Sequence, residues 1–244
     1  MDLGLDEKVA LVTGASGEIG RAVARAFAAE GATVAAGWHS NEERAREAVQ
    51  PFARASTVRL DQRDPHSAQT AVRAVGPVDV LVANAVAWPS RQPDTWDTLL
   101  DGLTANVAGT LALIDAVLPA MRSNGWGRIV LISSDVVKQP MPAGVAYPAA
   151  KGALETAARV LAAREARYGI LTNVVRPGFT LTERALTAPG FGQSVIDAEA
   201  AKTPTGRICT PEDVASTVVY LGSAANGHVN GETVSVAGGR QLTR

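Results

Sequence analysis

Short β-branched and apolar runs alternate with longer alanine-rich stretches along the whole chain, and no other feature restricts the fold so strongly. Residues 9–13 read as a buried strand, 21–30 as a helix with Val23, Ala26 and Phe27 on one face, and Gly31 as its stop. Further strands are expected at 33–36, 57–60, 78–83, 128–133, 171–175 and 232–236, and further helices at 41–49, 67–75, 95–122, 146–168 and 211–221. Thr210 followed by Pro211, Glu212 and Asp213 has the form of a capped helix start. Strict β–α alternation with nearly continuous apolar strands predicts an α/β architecture. The expected form is one Rossmann-like, doubly wound domain spanning residues 1–244, with a seven-stranded, mostly parallel sheet and helices on both faces.

Composition narrows the function classes. The 244 residues are 46% hydrophobic and 19% charged with a net charge of −1, and no run of like charges marks a nucleic-acid surface. The single cysteine, Cys209, excludes an internal disulfide and a cysteine metal cluster. His39, His66 and His228 lack metal-ligand spacing, so no metal is expected. The first apolar run follows Asp2, Asp6 and Glu7, unlike a secretory signal. No uninterrupted apolar stretch approaches the roughly 20 residues of a membrane span, and the expected location is the cytoplasm.

In a parallel sheet, ligands bind at the carboxyl ends of the strands. Residues 14–20, 38–41 and 177–182, with Asp61, Asn84 and Ser134, fall there. Gly14, Gly17 and Gly20 sit between the first strand and the first helix, where they permit a tight turn and close approach of a pyrophosphate to a helix N-terminus. The second strand ends in Gly37-Trp-His-Ser-Asn41, with no carboxylate before Glu42. A carboxylate there would bind the ribose 2′-hydroxyl of NAD and repel a 2′-phosphate. Its absence favours NADPH/NADP⁺, with NADH/NAD⁺ as the alternative. His39, Ser40 and Asn41 are placed to donate to the phosphate; Ser40 or Asn41 equally suits a helix cap.

Tyr147 and Lys151 lie one helical turn apart, and Ser134 is thirteen residues upstream of the tyrosine. A phenol is a weak acid, with a free pKa of roughly 10, and a nearby ammonium lowers it. The pair is therefore suited to proton transfer near neutral pH, and a serine hydroxyl to holding a carbonyl oxygen beside it.

These motifs, in this order and spacing, resemble the short-chain dehydrogenase/reductase family over nearly the whole chain, and its ketoreductases in particular. The segments carrying the likeness are the glycine turn, residues 79–85, 106–109, 132–134, Tyr147-x-x-x-Lys151, 176–182, 204–207, and Gly231 with Gly238 and Gly239. The resemblance implies Tyr147 as proton donor, with Lys151 lowering its pKa and binding the nicotinamide ribose. It implies Ser134 polarising the substrate oxygen and Asn106 holding a water that links Lys151 to solvent. Implied cofactor contacts are Gly14, Ser16, Gly17, Ile19 and Gly20 in the turn, Asp61 and Gln62 at the adenine, Asn84 at its ribose, and Pro177, Gly178, Phe179 and Thr182 at the nicotinamide, besides Tyr147 and Lys151. A homotetramer or homodimer built by the helices at 95–122 and 146–168 is also implied, acting on a small-molecule carbonyl compound, without nucleic acid or membrane.

The chain departs from the family pattern at Glu18, which stands where the second glycine usually does, and at Pro148, which biases Tyr147 away from helical angles. Trp88 and Trp96 suit either an aromatic substrate wall or packing, and residues 183–203 occupy the position of a substrate lid. The expected activity is NADPH-dependent ketone reduction. The alternatives are an NAD-dependent alcohol or sugar dehydrogenase and a non-catalytic dinucleotide-binding regulator.

Overall fold

The computed structural model describes residues 2–88, 95–139, 144–188 and 190–243. Its strands are β1 (Val9–Val12), β2 (Thr33–Trp38), β3 (Ala55–Arg59), β4 (Val80–Ala83), β5 (Gly127–Ile132), β6 (Ile170–Pro177) and β7 (Thr233–Val236). They form one sheet in the order β3-β2-β1-β4-β5-β6-β7, and every adjacent pair is parallel. The strand order reverses at β1, which pairs with both β2 and β4, so the crevice between them opens at the carboxyl edge.

Alternate strand residues face opposite helix layers, as the two-residue period requires. Val12, Val34, Val80, Val82 and Val130 pack under α1 (Glu18–Ala29), α2 (Glu42–Val49) and α9 (Pro211–Leu221). Leu11, Leu81, Ile129 and Leu131 pack under α3 (Pro65–Val75), α5 (Gly109–Asn124) and α6 (Ala146–Glu165). The remaining helices are α4 (Trp96–Leu103), α7 (Glu183–Thr187) and α8 (Gln193–Lys202).

Several boundaries move from their expected places for local reasons. The first helix starts at Glu18, because extended Gly17 serves as its N-cap and a carboxylate in the first turn suits the helix dipole. The second strand continues to Trp38, and Asn41 caps α2 by accepting from the Arg44 N–H at 3.0 Å. Asp64 caps α3 two residues before the expected start. α6 begins at Ala146, so Pro148 lies in its first turn, where no intrahelical N–H bond is lost.

The helix expected at 95–122 is broken into α4 and α5 by a π-helical turn, Thr104–Ala108. The combined run Trp96–Asn124 is long and apolar enough to meet the dimensions of a membrane span, which a count of uninterrupted apolar residues misses. Its apolarity has a local explanation: Leu113, Ile114, Val117, Leu118 and Met121 are buried against the sheet. α5 can approach the end of β3 because residue 109 is glycine. A Cβ there would lie 1.9 Å from the Gln62 carbonyl oxygen.

Candidate active site

The carboxyl edge carries a cleft of about 330 Å³. Gly14, Ser16, Gly17, Ile19, Gly20, His39, Ser40, Asp61, Gln62, Asn84 and Thr182 line it, together with Trp88. The glycine turn is tight for a steric reason. A Cβ on Gly20 would stand 2.2 Å from the Gly14 carbonyl oxygen, and Gly14 itself has φ +67°. Asn84 stitches the turn to β4: its amide donates to the carbonyls of Thr13 (2.9 Å) and Gly14 (3.3 Å). The buried Thr13 hydroxyl accepts from the N–H groups of Asn84 and Ala85.

Asn41, Pro177, Gly178 and Phe179, also expected at the cofactor, do not line the cleft. Asn41 spends its side-chain oxygen on the α2 cap. Thr182 caps α7, accepting from the Ala185 N–H at 3.2 Å. Gly178 donates to Val236, and the Phe179 carbonyl accepts from Cys209. The Phe179 ring stacks on Phe191 at 5.9 Å, and Pro177 ends β6 as a buried residue. Asp61 has a partner that the sequence did not reveal: its carboxylate lies 3.4 Å from His39 Nε2.

Tyr147 stands in the first turn of α6, with the Ser134 side chain, just past β5, near enough to its phenol to favour the charged form. Its ring lies 5.0 Å from that of Trp88, tilted by 32°. Lys151, one turn further along, is 3% exposed. Its Nζ is 5.8 Å from the Tyr147 ring centre and donates to the Ile132 carbonyl at 2.7 Å.

Burial dominates the electrostatics of the pair. Burial pushes the Tyr147 phenol above its ordinary value, and the Ser134 side chain and the Arg184 charge only partly oppose it. Lys151 points its ammonium at a backbone carbonyl, and burial pulls its own pKa down to about 8. In this state desolvation is the largest influence on both groups.

Asn106 has side-chain partners of its own. The π turn exposes its amide to the strand-β4 loop: Oδ1 accepts from the Ala87 N–H (2.8 Å), and Nδ2 donates to the carbonyls of Ala87 (2.9 Å) and Gly102 (3.0 Å). The side chain thus fastens the segment carrying Trp88 and makes no hydrogen bond to Lys151. π turns interrupt helices frequently at functional positions.

Beneath the Ser–Tyr–Lys cluster, Glu155 and Arg176 form a buried ion pair, 2.5 Å at its shorter contact. Glu155 also accepts from the Ser133 hydroxyl at 2.6 Å. Sequence reading missed this pair, and it missed a tie across the cleft mouth. Glu18 accepts from the Glu183 N–H, and Arg44 pairs with the Glu183 carboxylate at 2.8 Å. Both rest on contacts between residues far apart in the chain, which no local pattern signals.

The depressed Lys151 gives a measurable consequence. Unfolding returns the group to its free value of 10.5. Below about pH 8 both states hold the proton, and the burial penalty is fully present; it fades as pH rises from about 8 to the free value. Lys151→Met removes that penalty along with one hydrogen bond. Thermal unfolding should therefore show the variant's stability relative to wild type falling by about 2 kcal/mol between about pH 7.5 and pH 9.5. A pH-independent difference would show that Lys151 is not desolvated.

Residues 14–241 match the family model described as enoyl-(acyl carrier protein) reductase. The short-chain reductase protein NovJ of Streptomyces niveus is 38% identical over 250 residues, covering 96% of this chain and 94% of NovJ. An acetoacetyl-CoA reductase of Rhizobium meliloti is 34% identical, covering 96% and 98%. The crystal structure of a gluconate 5-dehydrogenase from Burkholderia cenocepacia, in complex with NADP and tartrate, superposes with a TM-score of 0.88 at 30% identity, covering 100% of this chain and 98% of the other. With its parallel sheet, glycine turn and Ser–Tyr–Lys cluster, the chain belongs to the short-chain dehydrogenase/reductase family.

Proposed function

We propose that this chain is an NADPH-dependent ketoreductase, with Tyr147 as the proton donor. The observation carrying the proposal is the Tyr147 phenol, beside Ser134 and one turn from buried Lys151, at the edge of the cleft that holds the glycine turn. The residues present fit a dinucleotide. The close-packed glycines leave backbone at the cleft wall, and α1 starts at Glu18 with its N–H groups facing that turn. A bound nicotinamide supplies the hydride. Ser134 holds the substrate oxygen, Tyr147 gives it a proton as the alcohol forms, and Lys151 balances charge beside the phenol. Two hydroxyls converging on one oxygen suit a carbonyl. The phenol's raised pKa keeps it protonated at neutral pH, as the reductive direction requires.

Cofactor contacts are proposed for the cleft-lining residues of the glycine turn, for Asp61, Gln62, Asn84 and Thr182, and for Pro177, Gly178 and Phe179 beside it. His39, Ser40 and the Asn41 amide would receive the 2′-phosphate, because no carboxylate stands between Gly37 and Asn41. A 2′-phosphate held by several donors favours NADPH over NADH by roughly tenfold to a hundredfold. Comparing kcat/KM for the two cofactors on a panel of ketones measures this directly, and a clear preference for NADH would overturn the assignment.

Asn106 acts as a positioning residue by holding Ala87 and Trp88 as the substrate wall. The whole chain serves as one cofactor-binding and catalytic domain, with residues 183–203 as its substrate lid. That lid contains α7 and α8; Pro189 within it lies outside the described residues. Assembly into a homotetramer or homodimer in the cytoplasm completes the proposal. Its support is the exposed apolar surface of α4 and α6, where Trp96, Leu100 and Val160 face outward.

A further inference from the structure

Arg184 lies two residues past Thr182, on α7, and its position is not explained by packing. Its guanidinium carbon sits 4.1 Å from the ring centre of Trp88, whose ring is in turn 5.0 Å from that of Tyr147. Arg184, Thr182 and Trp88 line the same cleft. Among the described residues no carboxylate stands within ion-pair distance of Arg184. Its neighbour Glu183 is already held by Arg44, and Glu18 is engaged by the Glu183 N–H. A guanidinium stacked on an indole is attracted to the ring face and keeps its N–H edge free. That edge matches the two oxygens of a carboxylate.

We propose that Arg184 anchors an anionic group of the substrate, so that the ketone reduced by this enzyme carries a carboxylate a few bonds from its carbonyl. The inference rests on the ketoreductase reading and names its substrate class. Arg184 and Tyr147 both flank Trp88, so at most about 9 Å separates the guanidinium carbon from the phenol ring centre, within the span of a small molecule. A phosphate at the far end of a long carrier arm does not meet that geometry. The Arg184 charge also pulls on the Tyr147 phenol, which places the two within electrostatic reach. A carboxylate on Arg184 would cancel that pull and keep the phenol protonated for reduction.

The test uses two acid–ester pairs with the same carbon skeletons: acetoacetate with methyl acetoacetate, and levulinate with methyl levulinate. In wild type, kcat/KM for the acid should exceed that for its ester by at least about tenfold in one pair. In Arg184→Gln that acid-to-ester ratio should collapse toward one, and Arg184→Lys should restore part of it. NADPH affinity is measured in parallel by cofactor fluorescence. Equal losses for acid and ester, or a loss confined to NADPH binding, would overturn the inference and assign Arg184 to the cofactor. Reduction of esters as well as or better than acids would overturn it while leaving the ketoreductase reading intact. If none of the four is reduced, binding of levulinate to the NADP⁺ complex, read by tryptophan quenching, decides. Saturable binding in wild type that is lost in Arg184→Gln supports the anchor, and its absence overturns it.

Discussion

Tyr147→Phe should lower kcat by roughly three orders of magnitude, while NADPH binding falls far less. The substitution removes only the hydroxyl. The ring keeps its packing against Trp88, 5.0 Å away, so the pocket wall survives and the loss reports proton transfer. Ser134→Ala should reduce turnover by a smaller factor, because one of the two hydroxyls that meet the substrate oxygen remains. The measurement is steady-state turnover with NADPH and any ketone the wild type reduces, with cofactor titration as the control. Turnover of the phenylalanine variant near that of wild type would sink the mechanism. Glycine-turn integrity is a separate matter, since neither substitution touches residues 14–20.

Arg176→Met should be the most destabilising single change considered, costing roughly 3–5 kcal/mol. Glu155 and Arg176 are 7% and 5% exposed at their side chains, so removing the arginine strands a carboxylate away from water. The carboxylate would keep one bond, from the Ser133 hydroxyl, which is too little to replace two contacts with a guanidinium. For a chain of this size the melting temperature should drop on the order of 10 °C. The double variant Glu155→Met with Arg176→Met should recover much of the loss, because well-packed apolar groups often replace a buried pair without penalty. A single variant within about 1 kcal/mol of wild type, or a double variant no better than the single, would refute the stranded-charge account. The pair also bears on function. Glu155 lies one helical turn beyond Lys151 on α6 and bonds both β6 and Ser133, so it fixes the helix carrying Tyr147 and Lys151 against the strand end that carries Ser134.

The two substitutions probe different kinds of information. Tyr147, Lys151, Ser134 and the glycine turn were legible because each depends on a local rule: a one-turn spacing, or a turn placed between a strand and a helix. Glu155 with Arg176, and Glu18 with Glu183, are partners across 21 and 165 positions. No periodicity marks such pairs, and nothing in the local sequence of either residue names its partner.

Local order was enough to specify the sheet, its helix layers and the Ser134–Tyr147–Lys151 cluster, because strand and helix periods and motif order are properties of neighbouring residues. Only the tertiary structure decided the electrostatic state of that cluster. Tyr147 is pushed up and Lys151 down to about 8 because the folded chain removes both from water, a cost that depends on everything packed around them. It also turned the Asn106 amide onto Ala87 through a π turn, and it laid Arg184 over Trp88 beside the Tyr147 phenol. Those placements follow from how distant segments meet at one sheet edge, and packing of that kind leaves no trace in local order.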